Sequence, residues 1–224
     1  MEGETIFLVI IGGAIDMNDM SQWYIRLGNW AFNLVLLNLL WFLFSLVGLI
    51  VVGIFPATAA LFAVLKEMIM EDEDTPIFSL YWKKFKSEFW MSNLVGYMTF
   101  LFGFALYANM KVLQQLDSGF LQLALASGTV VIGLVYLLTL LYIFPIFVHF
   151  NMKLLQYPLH AVILAVAKPF HTIFLLVLIA IVTMVYIFVP ALLFLFGISL
   201  IAYAMTKVAS YSFPRREQAK AKSL

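Results

Sequence analysis

Residues 27–65 contain no charged side chain. The run is 39 residues long, about twice the ~20 apolar residues that one membrane helix requires. A chain of this kind must fold the run back on itself. Gly48, Gly53 and Pro56 cluster where a first span would end. Proline fixes its own φ, lacks an N–H, and suits the first turn of a new helix. The pattern predicts a second helix starting at Pro56 and running to about Met70. It opens on the small residues Ala57, Thr58, Ala59 and Ala60, which let helix backbones approach closely in lipid. The expected form is a tight hairpin. Its short returning helix reaches the interface by snorkelling of Lys66.

The other uncharged runs are 89–110, 118–152, 154–167 and 169–206. The first of these fits one span. The run 118–152 reads as one long helix kinked near its end by Pro145. The run 169–206 is too long for one crossing and divides at Pro190 into spans of about 171–188 and 191–206. Hydrophobic residues make up 64% of the chain and charged residues 11%, about half the usual charged share. So much apolar surface needs lipid as its solvent. The expected fold is an all-α, polytopic transmembrane helical bundle with about six membrane helices and a cytoplasmic interfacial amphipathic helix. An N-terminal interfacial segment (1–26) precedes the transmembrane domain (27–206), and a basic cytoplasmic tail (207–224) follows it. The N-terminus is not read as a signal peptide, because its short apolar run has acidic flanks.

Six crossings place Arg26, Lys66, Lys83, Lys84, Lys86, Lys153, Lys168, Lys207, Arg215, Arg216, Lys220 and Lys222 on one side. Only Lys111 falls on the other. The positive-inside rule then puts both termini in the cytoplasm of a multi-pass cell-membrane protein. The tail from Lys207 carries five basic residues and one acid, and is expected against anionic headgroups.

Residues 71–74 are four acids, followed by Thr75 and Pro76. Thr75 suits an N-cap and Pro76 a first helical position. Phe78, Tyr81, Trp82, Phe85 and Phe89 then recur at helical spacing on one face, while Lys83, Lys84, Lys86 and Glu88 take the flanks. The pattern predicts an amphipathic helix over 76–90 on the cytoplasmic surface, its aromatic face in the headgroup layer. The aromatic and lysine side chains of this helix are candidate partner or membrane contacts.

Asn38, Trp41 and Ser45 form a polar stripe on the first helix. It is read as interhelical hydrogen bonding rather than a substrate groove. Ser92, Gly96, Thr99, Gly103 and Tyr107 form a small-residue stripe on the third, read as a packing face within the bundle. His149, His160 and His171 recur at intervals of 11, but Pro158 and Pro169 interrupt their helix. They are read as interfacial histidines, not zinc ligands. Residues 125–129, Leu-Ala-Ser-Gly-Thr, lack the first glycine of an intramembrane-protease Gly-x-Ser-Gly motif. The chain has no cysteine, which rules out disulfides and thiolate chemistry. The net charge of +1 offers no basic bias toward nucleic acid. No catalytic, cofactor or metal residue is assigned, and no enzyme activity is expected.

Three stretches together carry a resemblance. They are Arg-Leu-Gly-Asn-Trp-Ala-Phe-Asn-Leu-Val-Leu-Leu-Asn-Leu-Leu-Trp (26–41), Phe-Pro-Ala-Thr-Ala-Ala-Leu-Phe-Ala-Val-Leu-Lys-Glu-Met (55–68) and Phe-Ser-Leu-Tyr-Trp-Lys-Lys-Phe-Lys-Ser-Glu-Phe-Trp (78–90). They resemble the YesL-type family of bacterial membrane proteins across residues 26–95. The acidic 71–74 stretch departs from the family's basic-Gly-acidic turn. The resemblance implies a companion of carbohydrate ABC-transport systems and supplies no catalytic or binding residue. The expected function is a non-enzymatic accessory or scaffold, with the bilayer and a carbohydrate ABC permease as partners and no cofactor. The alternative is a small-solute transporter or channel acting alone.

Overall fold

The computed structural model describes residues 17–70, 76–115 and 119–212. These form eight helices, with no strand among the described residues. They are α1 (Met17–Val47), α2 (Ile54–Met70), α3 (Ile77–Ser87), α4 (Phe89–Leu113), α5 (Phe120–His149), α6 (Gln156–Ala167), α7 (Pro169–Phe188) and α8 (Pro190–Ser212). Five of them, α1, α4, α5, α7 and α8, are long and apolar enough to cross a membrane. The chain is an all-α polytopic bundle.

Helix α1 begins at Met17, not at Leu27. Residues 17–26, expected in an interfacial segment, are helical and continuous with the first candidate span, Trp23–Val47. Arg26 ends the uncharged run, but no proline or glycine between Met17 and Arg26 stops the helix. Residues 1–16 lie outside the described part, as do the 71–74 acids, Thr75, Asp117, Ser118, Pro214 and the rest of the basic tail.

The long first run folds into a hairpin of α1 and α2. Gly48 and Gly53 meet backbone to backbone in the turn, where a side chain on either would collide with the other. Leu49 and Ile50 take left-handed conformations at φ 55° and 61°, a region costly for a β-branched residue. Helix α2 starts two residues before Pro56, because the Ile54 amide already donates to Ile50 O at 3.0 Å. Pro56 therefore sits in the first turn, where its missing N–H costs nothing.

Helix α2 is the centre of the molecule. Ala57, Ala59, Ala60, Leu61, Val64 and Leu65 are all 0% exposed. Its small residues admit neighbours on every side, and α1, α3, α4, α5 and α8 all pack against it. One buried cluster joins α1, α2, α3 and α8 through Leu34, Leu37, Leu61, Tyr81 and Ala202. A second joins the C-terminal part of α5 to α6, α7 and α8 through Tyr142, Ile146, Tyr157, Leu175 and Ala209.

Helix α5 runs unbroken through Pro145 to His149. The short α6 buries Tyr157, Ala161 and Ala165. Pro190 separates α7 from α8 as the sequence predicts, but α8 continues past residue 206 to Ser212. Lys207, assigned to the tail, is thus helical. One defect interrupts α8, at Gly197 (φ 15°, ψ −107°).

Candidate functional site

The polar stripe of α1 does not act as a unit. Each member serves a different neighbour. Asn38, 0% exposed, faces the break in α8. Its Nδ2 donates to Phe194 O at 2.8 Å, and its Oδ1 accepts from the Ile198 amide at 3.2 Å. In an unbroken helix Ile198 N–H would donate to Phe194 O directly. The asparagine amide is spliced into that one missing step. Tyr186 of α7 completes the repair by donating to Gly197 O at 3.0 Å. A side chain at position 197 would meet Asn38 Oδ1 at 2.9 Å, so glycine is required there by close approach.

Trp41 turns to α2, its Nε1 donating to Thr58 Oγ1 at 3.0 Å, while that hydroxyl donates to Ile54 O at 2.7 Å. Ser45 is buried, and its backbone carbonyl accepts from the Ile50 amide in the hairpin turn. Further down the bundle, Tyr142 on α5 and Thr172 on α7 share a 3.0 Å hydrogen bond. Asn109 on α4 donates to Thr129 on α5 at 2.8 Å. Intramembrane polar contacts of this kind are worth about 0.6–2 kcal/mol each.

The aromatic–basic helix is α3, and it divides into two faces. Tyr81 and Phe85, expected in the headgroup layer, are buried. Phe44 of α1 gathers them, with ring centroids 5.1 Å from Tyr81 and 5.0 Å from Phe85. The Tyr81 hydroxyl donates to Ala57 O at 2.7 Å. Burial raises the pKa of this phenol above its ordinary value, so it stays protonated as a donor. The correction has a physical reason. The small residues of α2 leave room for large rings, and each aromatic ring buries some 150–250 Å² when covered.

Lys84 is also turned inward, pairing with Glu67 of α2 at 2.8 Å. Ala57 and Glu67 are ten residues apart, so α3 is tied to α2 at points about 15 Å apart along its axis. The helix ends at Ser87, and Glu88 (φ −94°, ψ 1°) caps it before α4 begins. Phe89 therefore belongs to α4, where it packs edge-on to Phe85 at 5.7 Å. The outer face of α3 keeps Phe78 (57% exposed) and Trp82 (41%) together with exposed Lys83 and Lys86. Lys86 Nζ sits 4.7 Å from the Trp82 ring centroid.

The small-residue stripe of α4 packs inward over most of its length. Ser92 is fully buried, Gly96 receives the Phe55 ring, Thr99 O accepts from Tyr136, and Gly103 abuts the Tyr136 hydroxyl. Tyr107 points outward. The three histidines stay apart. His149 and His160 each place Nδ1 near the carbonyl four residues back, at 2.7 and 2.8 Å. His171 lines an apolar cavity of about 640 Å³ between α7 and α8, with Trp30, Phe174, Tyr203 and Lys207. Among the described residues, no three metal-ligating side chains converge.

Two features escape the sequence patterns. Phe44 is one aromatic in a continuous apolar run, and nothing local marks it as a hub. Gly197 carries a readable signal, because it is the only glycine after Gly133 and interrupts an otherwise periodic helix.

The model of the family DUF624, described as a protein of unknown function, matches residues 34–110. That segment spans the C-terminal part of α1, all of α2 and α3, and most of α4. Curated relatives come from Bacillus subtilis (strain 168). The uncharacterized protein YesL is 34% identical over 195 residues, covering 87% of this chain and 91% of that protein. The uncharacterized protein YteU is 33% identical over 184 residues, covering 82% of each. The uncharacterized protein YesV is 35% identical over 136 residues, covering 61% of this chain and 65% of that protein. No solved structure matches. With relatives of this identity matched over most of their length, the chain belongs to the DUF624 family of YesL-type proteins.

Proposed function

We propose that this protein is a non-enzymatic accessory or scaffold in the cell membrane, and that it holds a carbohydrate ABC permease. The observation that carries the reading is the division of α3. Tyr81, Phe85 and Lys84 fix one face rigidly to α1 and α2. The opposite face leaves Phe78 and Trp82 partly exposed at the rim of the Phe44 cluster, beside exposed Lys83 and Lys86. Aromatic and basic groups held on a rigid element are the composition of a docking surface. In this reading the face is cytoplasmic, on the side of the bilayer that carries most of the basic residues. The resemblance to YesL-type proteins supplies the partner class.

The break in α8 supports a second reading, a small-solute carrier or channel acting alone. Discontinuous helices frame binding sites in several transporter folds. The Asn38 amide and the Tyr186 hydroxyl, however, are already committed to closing the break, which favours a structural joint.

The test pairs two measurements. The protein is isolated at native expression and its companions identified, and the purified chain is reconstituted in liposomes for flux assays. Recovery of an ABC permease, reduced by replacing Trp82 and Lys86, is the expected outcome. Sugar or ion flux by the protein alone would establish the carrier reading instead.

A further inference from the structure

We infer that the α1–α2 turn lies within the hydrocarbon of the bilayer, in contact with acyl chains, and not at the far membrane surface. The hairpin then enters and returns from the same side. The ruler is α4. Its uncharged stretch runs from Phe89 to Met110 between Glu88 and Lys111, a rise of about 33 Å against a hydrocarbon core of about 30 Å. Helix α4 therefore reaches across the bilayer once with its charges at the two edges.

The turn meets α4 well short of its far end. Gly96 receives the ring of Phe55 in the first turn of α2. Tyr97 donates from its hydroxyl to Val51 O at 2.7 Å, and its ring packs edge-on to Phe55 at 5.1 Å. Gly96 and Tyr97 stand about 12 Å from the Glu88 edge and about 20 Å from the Lys111 edge. A tyrosine side chain is only about as long as one helical turn, about 5 Å, so it cannot carry the contact to the far surface. Beyond Gly96, the next buried residue of α4 is Leu113. In that outer stretch α4 bonds to α5, through Thr99 O with Tyr136, Asn109 with Thr129, and Leu113 O with Gln122. The α4–α5 pair continues past the α1–α2 turn.

The chemistry of the turn agrees. Residues 48–53 are Gly-Leu-Ile-Val-Val-Gly, with no polar side chain, and Leu49 is 82% exposed and Val51 65%. The residues joining α4 to α5 include Gln114, Gln115 and Asp117, as a loop in water should. Lipid favours a turn whose backbone groups find partners inside the protein. Four of the six amides of residues 48–53, those of Gly48, Leu49, Ile50 and Val51, donate to Phe44, Leu46, Ser45 and Leu49 carbonyls. Tyr97 reaches across to satisfy Val51 O. At the other end of α2 stand Lys66 and the Glu67–Lys84 ion pair, at the edge where α4 begins at Glu88. A re-entrant hairpin leaves the sidedness of all later segments unchanged, so the asymmetry of basic residues is the same for either arrangement.

The test uses the absence of native cysteine. Single cysteines replace Leu49 and Val51, whose side chains point out of the fold, with Ser87→Cys and Gln115→Cys as references. In sealed vesicles an impermeant maleimide should label Ser87→Cys from one side and Gln115→Cys from the other. It should label Leu49→Cys and Val51→Cys from neither until the membrane is dissolved in denaturing detergent. A fluorophore on Val51→Cys should be quenched most by lipids brominated at mid-chain. Labelling of either turn cysteine in sealed vesicles would overturn the inference. So would strongest quenching by a headgroup quencher, even without labelling. Testing two turn positions separates a misfolded variant from a wrong assignment.

Discussion

Asn38 supplies both the acceptor and the donor that α8 loses at Gly197. The two residues are 159 positions apart in sequence, yet neither arrangement stands alone. Without the asparagine, the kinked backbone would leave the Ile198 amide without its acceptor in an apolar interior, at a cost of about 1–3 kcal/mol. Without the glycine, a methyl group would press on Asn38 Oδ1 from 2.9 Å.

Replacing Asn38 with leucine should lower stability in detergent by about 2 kcal/mol, the range of two intramembrane hydrogen bonds. Gly197→Ala should also destabilise. The double variant should lose less than the sum, because α8 is then free to straighten and form its own Ile198–Phe194 bond. Unfolding midpoints of the four proteins form the cycle, and strict additivity would show that the two sites are not coupled.

Tyr81→Phe removes the bond to Ala57 O but keeps the ring against Phe44, and should cost about 1 kcal/mol. Tyr81→Ala opens a cavity at a fully buried site and should cost about 3–5 kcal/mol. Thermal unfolding of the purified variants measures both. Equal effects would mean that the ring contributes nothing beyond its hydroxyl.

Trp82→Asp should leave membrane insertion and thermal stability nearly intact while weakening partner recovery several-fold. Trp82 is 41% exposed and sits at the rim of the aromatic cluster, 5.4 Å from Phe44 and 6.2 Å from Phe85. Comparing yield in membranes with the amount of co-purified partner separates the two properties. Loss of the protein itself would show that Trp82 belongs to the core.

Gly48→Ala or Gly53→Ala should be strongly damaging. The added methyl group collides with backbone across the hairpin, which has no side chain to yield. The expected outcome is a drop of several-fold or more in folded protein recovered from membranes, scored by size-exclusion chromatography. A control Gly28→Ala meets nothing within 4 Å and should behave as the parent.

Lys84→Ala should cost no more than about 1 kcal/mol, since its pair with Glu67 is partly exposed and screened by water. The loss should shrink at high salt. A salt-independent effect would point to packing by the lysine stem instead.

The spans were legible because uncharged run length is a direct reading of bilayer thickness. Pro190 and the Gly48–Gly53–Pro56 cluster marked both turns for the same reason, as local backbone chemistry. The inward turn of Tyr81 and Phe85 was not legible. An aromatic face at helical spacing satisfies a headgroup layer and a protein groove equally well, and only the three-dimensional position of Phe44 decides between them. The polar stripe of α1 was legible as interhelical hydrogen bonding for Asn38 and Trp41, but the helices it joins were not. Asn38 turns to α8 and Trp41 to α2, while the Ser45 hydroxyl joins neither. The start of α1 was missed because Arg26 ends a run of hydropathy without ending a helix.

The enclosure of α2 has a consequence for synthesis. This helix is wrapped by neighbours that include α8, which leaves the ribosome after all the other described helices. While the nascent chain is still being threaded, the amide of Asn38 has no α8 to join, and one flank of the Ala57–Leu65 stretch stays open. The N-terminal half is thus committed to the membrane early but locked late. A nascent chain halted before Phe194 would present an unmatched amide and an uncovered helix to quality-control proteases.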